Sequence, residues 1–220
     1  MEDLNYLKNY QRTNVFTQVN NIGYLFQGCE ALVSVDLSSF SGAPLTNMEH
    51  MFHFDGKLKS IKFGNLDTSR VTTMEYLFFH CFSLTEVDLN YFVADNLEKM
   101  RNMFDSCYSL KSIDFGNFVT KKITDLSNVF SNCQSLEKIK IKKFDTSQVT
   151  KMQYTFYNCT RLKEIDLSNF NTQKCSDFSY IFFRIEQLTI KLDPKIALNM
   201  IQLFQNTYNI INVTNNQWSL

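Results

Sequence analysis

A phenylalanine recurs every 26 residues along this chain, at Phe26, Phe52, Phe78, Phe104, Phe130, Phe156 and Phe182, and other columns keep its register. Three residues after each stand Cys29, Asp55, Cys81, Cys107, Cys133, Cys159 and Ile185, and six after it Leu32, Leu58, Leu84, Leu110, Leu136, Leu162 and Leu188. Nine after it come Val35, Ile61, Val87, Ile113, Ile139 and Ile165, and the units close on Phe40, Leu66, Phe92, Phe118, Phe144 and Phe170. A fixed period of this length marks units that each bury an apolar face against their neighbours, because one unit alone has too little core to fold. The chain must form a stack.

Within a unit the apolar spacing changes type. Met152, Thr155, Phe156 and Cys159 stand at i, i+3, i+4 and i+7, as do Met74, Leu77, Phe78 and Cys81, a spacing that predicts a short helix with one inward stripe. Thr46-Glu49, Thr72-Glu75 and Thr150-Gln153 match the reciprocal capping box and place the helix start near each threonine. From Leu162 the pattern alternates, with Ile165 and Leu167 inward between Glu164, Asp166 and Ser168, which predicts a strand. Repetition gives an α/β repeat solenoid of about eight units, with a parallel β-sheet on one face, short helices on the other and right-handed crossovers. Eight strands spaced by ~4.8 Å make a sheet about 35 Å long.

Residues 1–18 lack the unit and are expected to form an N-terminal cap, with Tyr6, Leu7 and Tyr10 in an amphipathic turn or helix. Residues 19–194 hold seven units, the last shortened at Ile190 and Leu192 and stopped by Asp193-Pro194. Residues 195–220 hold a degenerate eighth unit, with Met200, Phe204, Ile210, Val213 and Trp218, expected to serve as the C-terminal cap.

With 22 acidic and 22 basic residues the formal net charge is zero, so nothing steers the chain toward nucleic acid or an anionic membrane. Its apolar runs fall short of the ~18 residues of a membrane span. The opening MEDLNYLKNYQRTN lacks the apolar core of a signal peptide, and the sequence reads as soluble and unsecreted. Of six cysteines, five share one column and are expected to be reduced core thiols; Cys175, in the column of Val71 and Val149, is read the same way. Asn158-Cys159-Thr160 and Asn212-Val213-Thr214 are acceptor sequons, a common pattern of little weight.

The one constellation with metal-ligand chemistry is His50, His53, Asp55 and His80. The column of His50 holds Tyr76, Asn102 and Tyr154, and that of His53 holds Asp105 and Tyr157. The histidines are therefore expected at the surface, and Asp55 is expected to bond to local backbone. No metal, cofactor or catalytic residue is expected. On the strand face the central outward residues read Asp36, Lys62, Asp88, Asp114, Lys140, Asp166 and Lys191, a solvated charge ladder or a mixed-charge binding strip. In the second case Glu86, Asp88, Asp114, Lys138, Lys140, Glu164 and Asp166 are the candidate contacts. Tyr24, Tyr76, Phe79, Tyr154, Tyr157, Tyr180 and Phe183 are aromatic at outward positions of the expected helices and are candidate anchors for a partner.

The full unit, Phe144-Asp145-Thr146-Ser147-x-Val149-Thr150-x-Met152-x-x-x-Phe156-x-x-Cys159-x-x-Leu162-x-x-Ile165-Asp166-Leu167-Ser168-Asn169-Phe170, resembles the BspA-like leucine-rich repeats. The likeness is to the type found in Mycoplasma surface lipoproteins and in surface proteins of some protists, and it covers roughly residues 19 to 192. It implies a non-catalytic recognition or adhesion module for a protein or glycan at a cell surface, against the missing export signal. The alternative is an architectural, self-associating repeat protein without a specific ligand.

Overall fold

The computed structural model describes residues 15–116, 118–141, 143–192 and 210–214. Most of the expected N-terminal cap and most of the eighth unit lie outside these residues. The described chain is a leucine-rich-repeat-like solenoid, whose coils we number one to seven by their central residues, Phe26 to Phe182.

The helical layer expected on one face is replaced by turns: among the described residues there is no α-helix, only 3-10 turns at Val15–Gln18 and Ser38–Phe40. In coil one the amides of Leu25, Gln27 and Cys29 donate to the carbonyls three residues earlier. The alternate amides of Ile22, Tyr24, Phe26 and Gly28 instead leave the coil and donate to Asn47, Glu49, Met51 and His53 at 2.8 to 3.1 Å. A helix would return all of them to carbonyls four residues back. Here half of them bind the next coil.

Backbone angles follow from that choice. Two residues before each central phenylalanine, Tyr24, His50, Tyr76, Asn102, Asn128, Tyr154 and Tyr180 take φ of 54° to 62°. Two residues after it, Gly28, Phe54, His80, Ser106, Asn132, Asn158 and Arg184 take 60° to 71°. Positive φ at the third position of a turn is what a type II turn requires. It costs a non-glycine residue about 1 kcal/mol or more, least for Asn. The inter-coil hydrogen bonds offset it. Both helix and turn chain bring Met74, Leu77, Phe78 and Cys81 inward, so the apolar spacing alone does not separate the two.

The threonines read as helix caps are inter-coil rungs. Thr46 Oγ1 donates to Asn20 O (3.0 Å), Thr72 Oγ1 to Thr46 O (3.2 Å) and Thr150 Oγ1 to Thr124 O (3.1 Å), each 26 residues back. Beside them run parallel bridges, Asn21 to Asn47 to Thr73 to Lys99, and Asp125 to Lys151 to Asp177. A second, buried threonine column explains the Asp-Thr-Ser triplets. Thr146 Oγ1 donates to Asn171 O at 3.0 Å and accepts Asn171 N–H at 2.7 Å, while Asp145 Oδ1 accepts the Ser147 amide at 2.9 Å.

Phenylalanine rings fill the interior as one continuous stack. From Phe26 to Phe182 successive centroids lie 5.1 to 5.8 Å apart with planes within 20° of parallel. That is the offset arrangement aromatic pairs favour. Next to it stands a ladder of free thiols, in which Cys81, Cys107, Cys133 and Cys159 donate Sγ–H to Phe52, Phe78, Phe104 and Phe130 carbonyls, each at 3.1 Å. Burial pushes all four above the usual thiol range. They are inert, satisfied core groups.

The strands are β1 (Ser34–Asp36), β2 (Ser60–Lys62), β3 (Ser112–Asp114), β4 (Lys138–Lys140), β5 (Glu164–Asp166), β6 (Gln187–Lys191) and β7 (Ile210–Thr214). All pairings are parallel, but the sheet is in pieces: β1-β2, β3-β4 and β5-β6-β7. In coil three, Glu86–Asp88 forms no strand and joins its neighbours through a single bridge, Asp88 to Asp114. Ile165 pairs with Ile190, and Ile190 with Val213.

Asn128 distinguishes turn from helix directly. In a helix Gly would be worse than Ala there by about 1 kcal/mol. At φ +57° we expect the reverse, with Asn128→Gly neutral or stabilising and Asn128→Ala destabilising by about 1 kcal/mol in urea unfolding.

Candidate binding surface on the strand face

The strands β1 to β5 each turn one central apolar side chain inward, fully buried at Ile113 and Ile165 and partly buried at Val35, Ile61 and Ile139, and β6 turns in Leu188 and Ile190; their outward neighbours set Asp36, Lys62, Asp114, Lys140, Asp166 and Lys191 in one row. The row is paired where the strands are paired. Lys62 Nζ meets Asp36 Oδ2 at 2.9 Å, Lys140 meets Asp114 at 2.8 Å, and Lys191 meets Asp166 at 3.6 Å. Such exposed pairs contribute little to stability.

The aspartates also have a structural use that alternation did not reveal. Asp36, Asp88, Asp114 and Asp166 each accept, through Oδ1, the amide two residues on, from Ser38, Asn90, Gly116 and Ser168 at 2.8 to 3.0 Å. These Asx turns end the strands. The Ser38 hydroxyl and Lys62 hold Asp36 down to about 2. For Asp166, partial burial acts upward, but the Ser168 hydroxyl and amide with Lys191 outweigh it and the carboxyl lies below its usual range. The signal was the Asp-x-Ser, Asp-x-Asn or Asp-x-Gly at the end of units one, three, four and six.

Where β2 and coil three fail to ladder, a groove of about 340 Å³ opens, lined by Ser60, Ile61, Glu86, Val87, Asp88, Asn90, Ser112 and Asp114. Glu86 and Asp88 make no ion pair among the described residues, so the groove is the acidic gap in an otherwise balanced row. Of the residues selected from the sequence, Glu86, Asp88 and Asp114 come together there. Lys138, Lys140, Glu164 and Asp166 lie on coils five and six of the same face, outside the groove.

The histidine constellation differs from its expected form. His50, His53 and His80 are half-buried among aromatic rings, whereas Asp55 lies wholly inside, in the thiol column. Among the described residues no group of three or more His, Cys, Asp or Glu is placed to hold a metal ion. Nor does Asp55 bond to backbone: neither carboxylate oxygen has a hydrogen-bond partner. Burial pushes it up to about 6, tempered by the nearby Cys29 amide. An acceptor-only group sits where cysteines elsewhere donate to the preceding carbonyl.

The sequon at Asn158 is also occupied internally. Asn158 Nδ2 donates to Asn132 Oδ1 (3.0 Å), Asn132 Nδ2 donates to Asp105 Oδ1 (3.2 Å), and the Thr160 hydroxyl donates to Gln134 O. Of the outward aromatics, Tyr154 stacks on Tyr180 and Tyr157 on Phe183 across adjacent coils. No helix among the described residues is long and apolar enough to cross a membrane.

Asp55 gives a signed expectation. Its folded value lies above the unfolded 3.8, so the folded chain binds the proton more tightly. The resulting penalty is absent below about pH 4 and complete above about pH 6. Asp55→Cys should therefore stabilise the protein by about 1–3 kcal/mol at pH 7 and by much less at pH 4. Urea unfolding of both proteins at both pH values checks it, and no gain at pH 7 would contradict the buried, unpaired carboxylate.

A solved leucine-rich repeat protein from Bacteroides ovatus ATCC 8483 is similar at 16% identity with a TM-score of 0.28, over 89% of this chain. The match spans 64% of that protein. No curated protein matches. The family model described as "Mycoplasma protein of unknown function, DUF285" matches residues 20–115 and 100–218, nearly the whole chain and the same kind of repeat that the Phe-x-x-Cys-x-x-Leu columns indicated. The chain belongs to this Mycoplasma-type family of unknown function, DUF285.

Proposed function

We propose that the protein is a non-catalytic recognition module that binds a protein partner through the strand face, seating a cationic side chain in the groove of Glu86, Asp88 and Asp114. The observation that carries this reading is the groove itself, formed where the sheet opens and the row of paired charges leaves two carboxylates without cations. Lys138, Lys140, Glu164 and Asp166 extend the same face and supply mixed charge for register with a larger partner. Repeat families use such long faces for recognition. A place at the cell surface, an adhesive role and a glycan ligand are compatible extensions, the first two resting on the resemblance of the unit to BspA-like repeats alone.

Glu86→Gln, Asp88→Asn and Asp114→Asn together remove the charge while Asn keeps the Asx acceptor, so folding should be nearly unchanged. Wild type and triple variant, immobilised side by side, would be offered detergent-solubilised surface proteins of the producing organism and a glycan array. We expect ligands held by wild type to bind the variant at least about tenfold more weakly, and binding to weaken with salt. Ligands retained equally by the variant would sink the strand-face reading.

A second reading, self-association, is favoured by the apolar side chains exposed on coil one, Tyr24, Leu25 and Val33. Sedimentation of the full chain over a hundredfold concentration range would show a rising mass if it holds, and a constant monomer if it does not.

A further inference from the structure

The three histidines meet at the joint between the first coils. His50 Nδ1 lies 3.3 Å from His53 Nδ1, and Gln27 Nε2 of coil one lies 3.0 Å from the same His53 nitrogen. An amide nitrogen carries hydrogens and no available lone pair, so His53 Nδ1 is the acceptor and bears no proton. The His50 Nδ1–H is then the donor in the second contact. His50 is clasped between Tyr24 and Tyr76, with centroids at 4.8 and 4.6 Å. His53 lies 4.2 Å from Phe54 and 4.9 Å from Phe79, on which His80 stacks at 4.0 Å.

We propose that the Gln27–His53–His50 contact is an acid-released latch between coil one and the rest of the solenoid. A proton on His53 Nδ1 turns the shared acceptor into a donor. Both hydrogen bonds as they stand are lost together, and re-forming them requires the Gln27 amide to turn its oxygen inward and His50 to move its proton to Nε2, beside a positive ring in a half-buried aromatic setting. Coil one is also held by its four turn amides, by the β1-β2 pairing and by the Phe26–Phe52 stack, so the latch acts on the turn edge beside Gln27 rather than on the whole coil.

The charged groups around the joint come from three coils: Glu49 on coil two, Glu75 on coil three, and Arg101 and Asp105 on coil four. Glu49 and Glu75 favour a charged His50, and Asp105 a charged His80, but burial outweighs them and holds both rings below their ordinary range. Arg101 is engaged by Glu75 and the Tyr76 hydroxyl. His53 has no such carboxylate, and burial with repulsion from His50 and His80 lowers it to about 4. A folded value below the unfolded 6.5 means that the opened joint binds the proton more tightly. The latch is intact above about pH 6.5 and gives way as pH falls toward 4. Asp55, facing inward on the same coil, has the opposite sign and firms the core of coil two over the same range.

Amide hydrogen exchange of the full chain at pH 7 and pH 4.5, corrected for intrinsic rates, separates the two effects. We expect the amides of Ile22, Tyr24, Phe26 and Gly28 to lose at least tenfold in protection at pH 4.5, relative to those of Asn102, Phe104 and Ser106 in coil four. In His53→Asn, whose Oδ1 keeps an acceptor that does not titrate at these pH values, that loss should be much smaller, with His50 and His80 supplying what remains. Equal protection of coil one at both pH values, or the same loss in the variant, would overturn the proposal. So would a wild-type His53 imidazole that titrates by NMR at its ordinary value, a measurement that needs no substitution.

Discussion

The whole architecture depends on half of the turn amides leaving their own coil. Because Ile22, Tyr24, Phe26 and Gly28 donate to residues 25 positions further on, and coils two to six repeat the arrangement, successive coils are fixed in register by backbone alone. Register then sets everything carried on the backbone. Identical side chains fall on top of one another, which is why the phenylalanines stack, the thiols reach the same carbonyl of the preceding coil, and the threonines form rungs. Insertion of a single residue in one coil would misalign all of these columns together.

Much of this was legible in the sequence, because buried columns must repeat when the backbone repeats. The Phe, Cys, Leu and Ile columns gave the solenoid, its inward face and the position of the strands. The helical layer was misread at Met74–Cys81 because the inward spacing of three turns in sequence coincides with that of two helical turns. The distinguishing mark was at Asn102, Asn128, Asn132 and Asn158, residues that tolerate positive φ and recur at fixed offsets from the phenylalanine. Thr46 and Glu49 satisfy a capping-box pattern, yet a pattern local in sequence says nothing about a partner 26 residues away. On the strand face the outward charges were legible, but not the interruption at Glu86–Asp88. It arises from pairing between coils rather than from the composition of either one.

Coils two and three concentrate the departures from regularity. Asp55 replaces the donating cysteine, three imidazoles replace the usual Tyr, Asn or Ser, and the sheet opens next to them. A repeat protein is stable through nearest-neighbour interfaces, so a weakened joint is felt locally rather than spread through the molecule. The acidic groove on one side and the histidine cluster on the other thus share the segment of the stack where local change costs least.

The turn edge has an electrical consequence. In coils one to six the bonds leaving the turns run from an N–H to a carbonyl of the following coil, as Phe52 to Leu77, Phe78 to Met103 and Phe104 to Val129 show. Peptide dipoles aligned in that way add along the axis, as they do in a helix. Fewer bonds, such as Thr72 N–H to Thr46 O, point the other way. The turn edge therefore carries a net dipole with its positive pole toward the C-terminal coils, so a molecule with no net charge still has two electrically different ends.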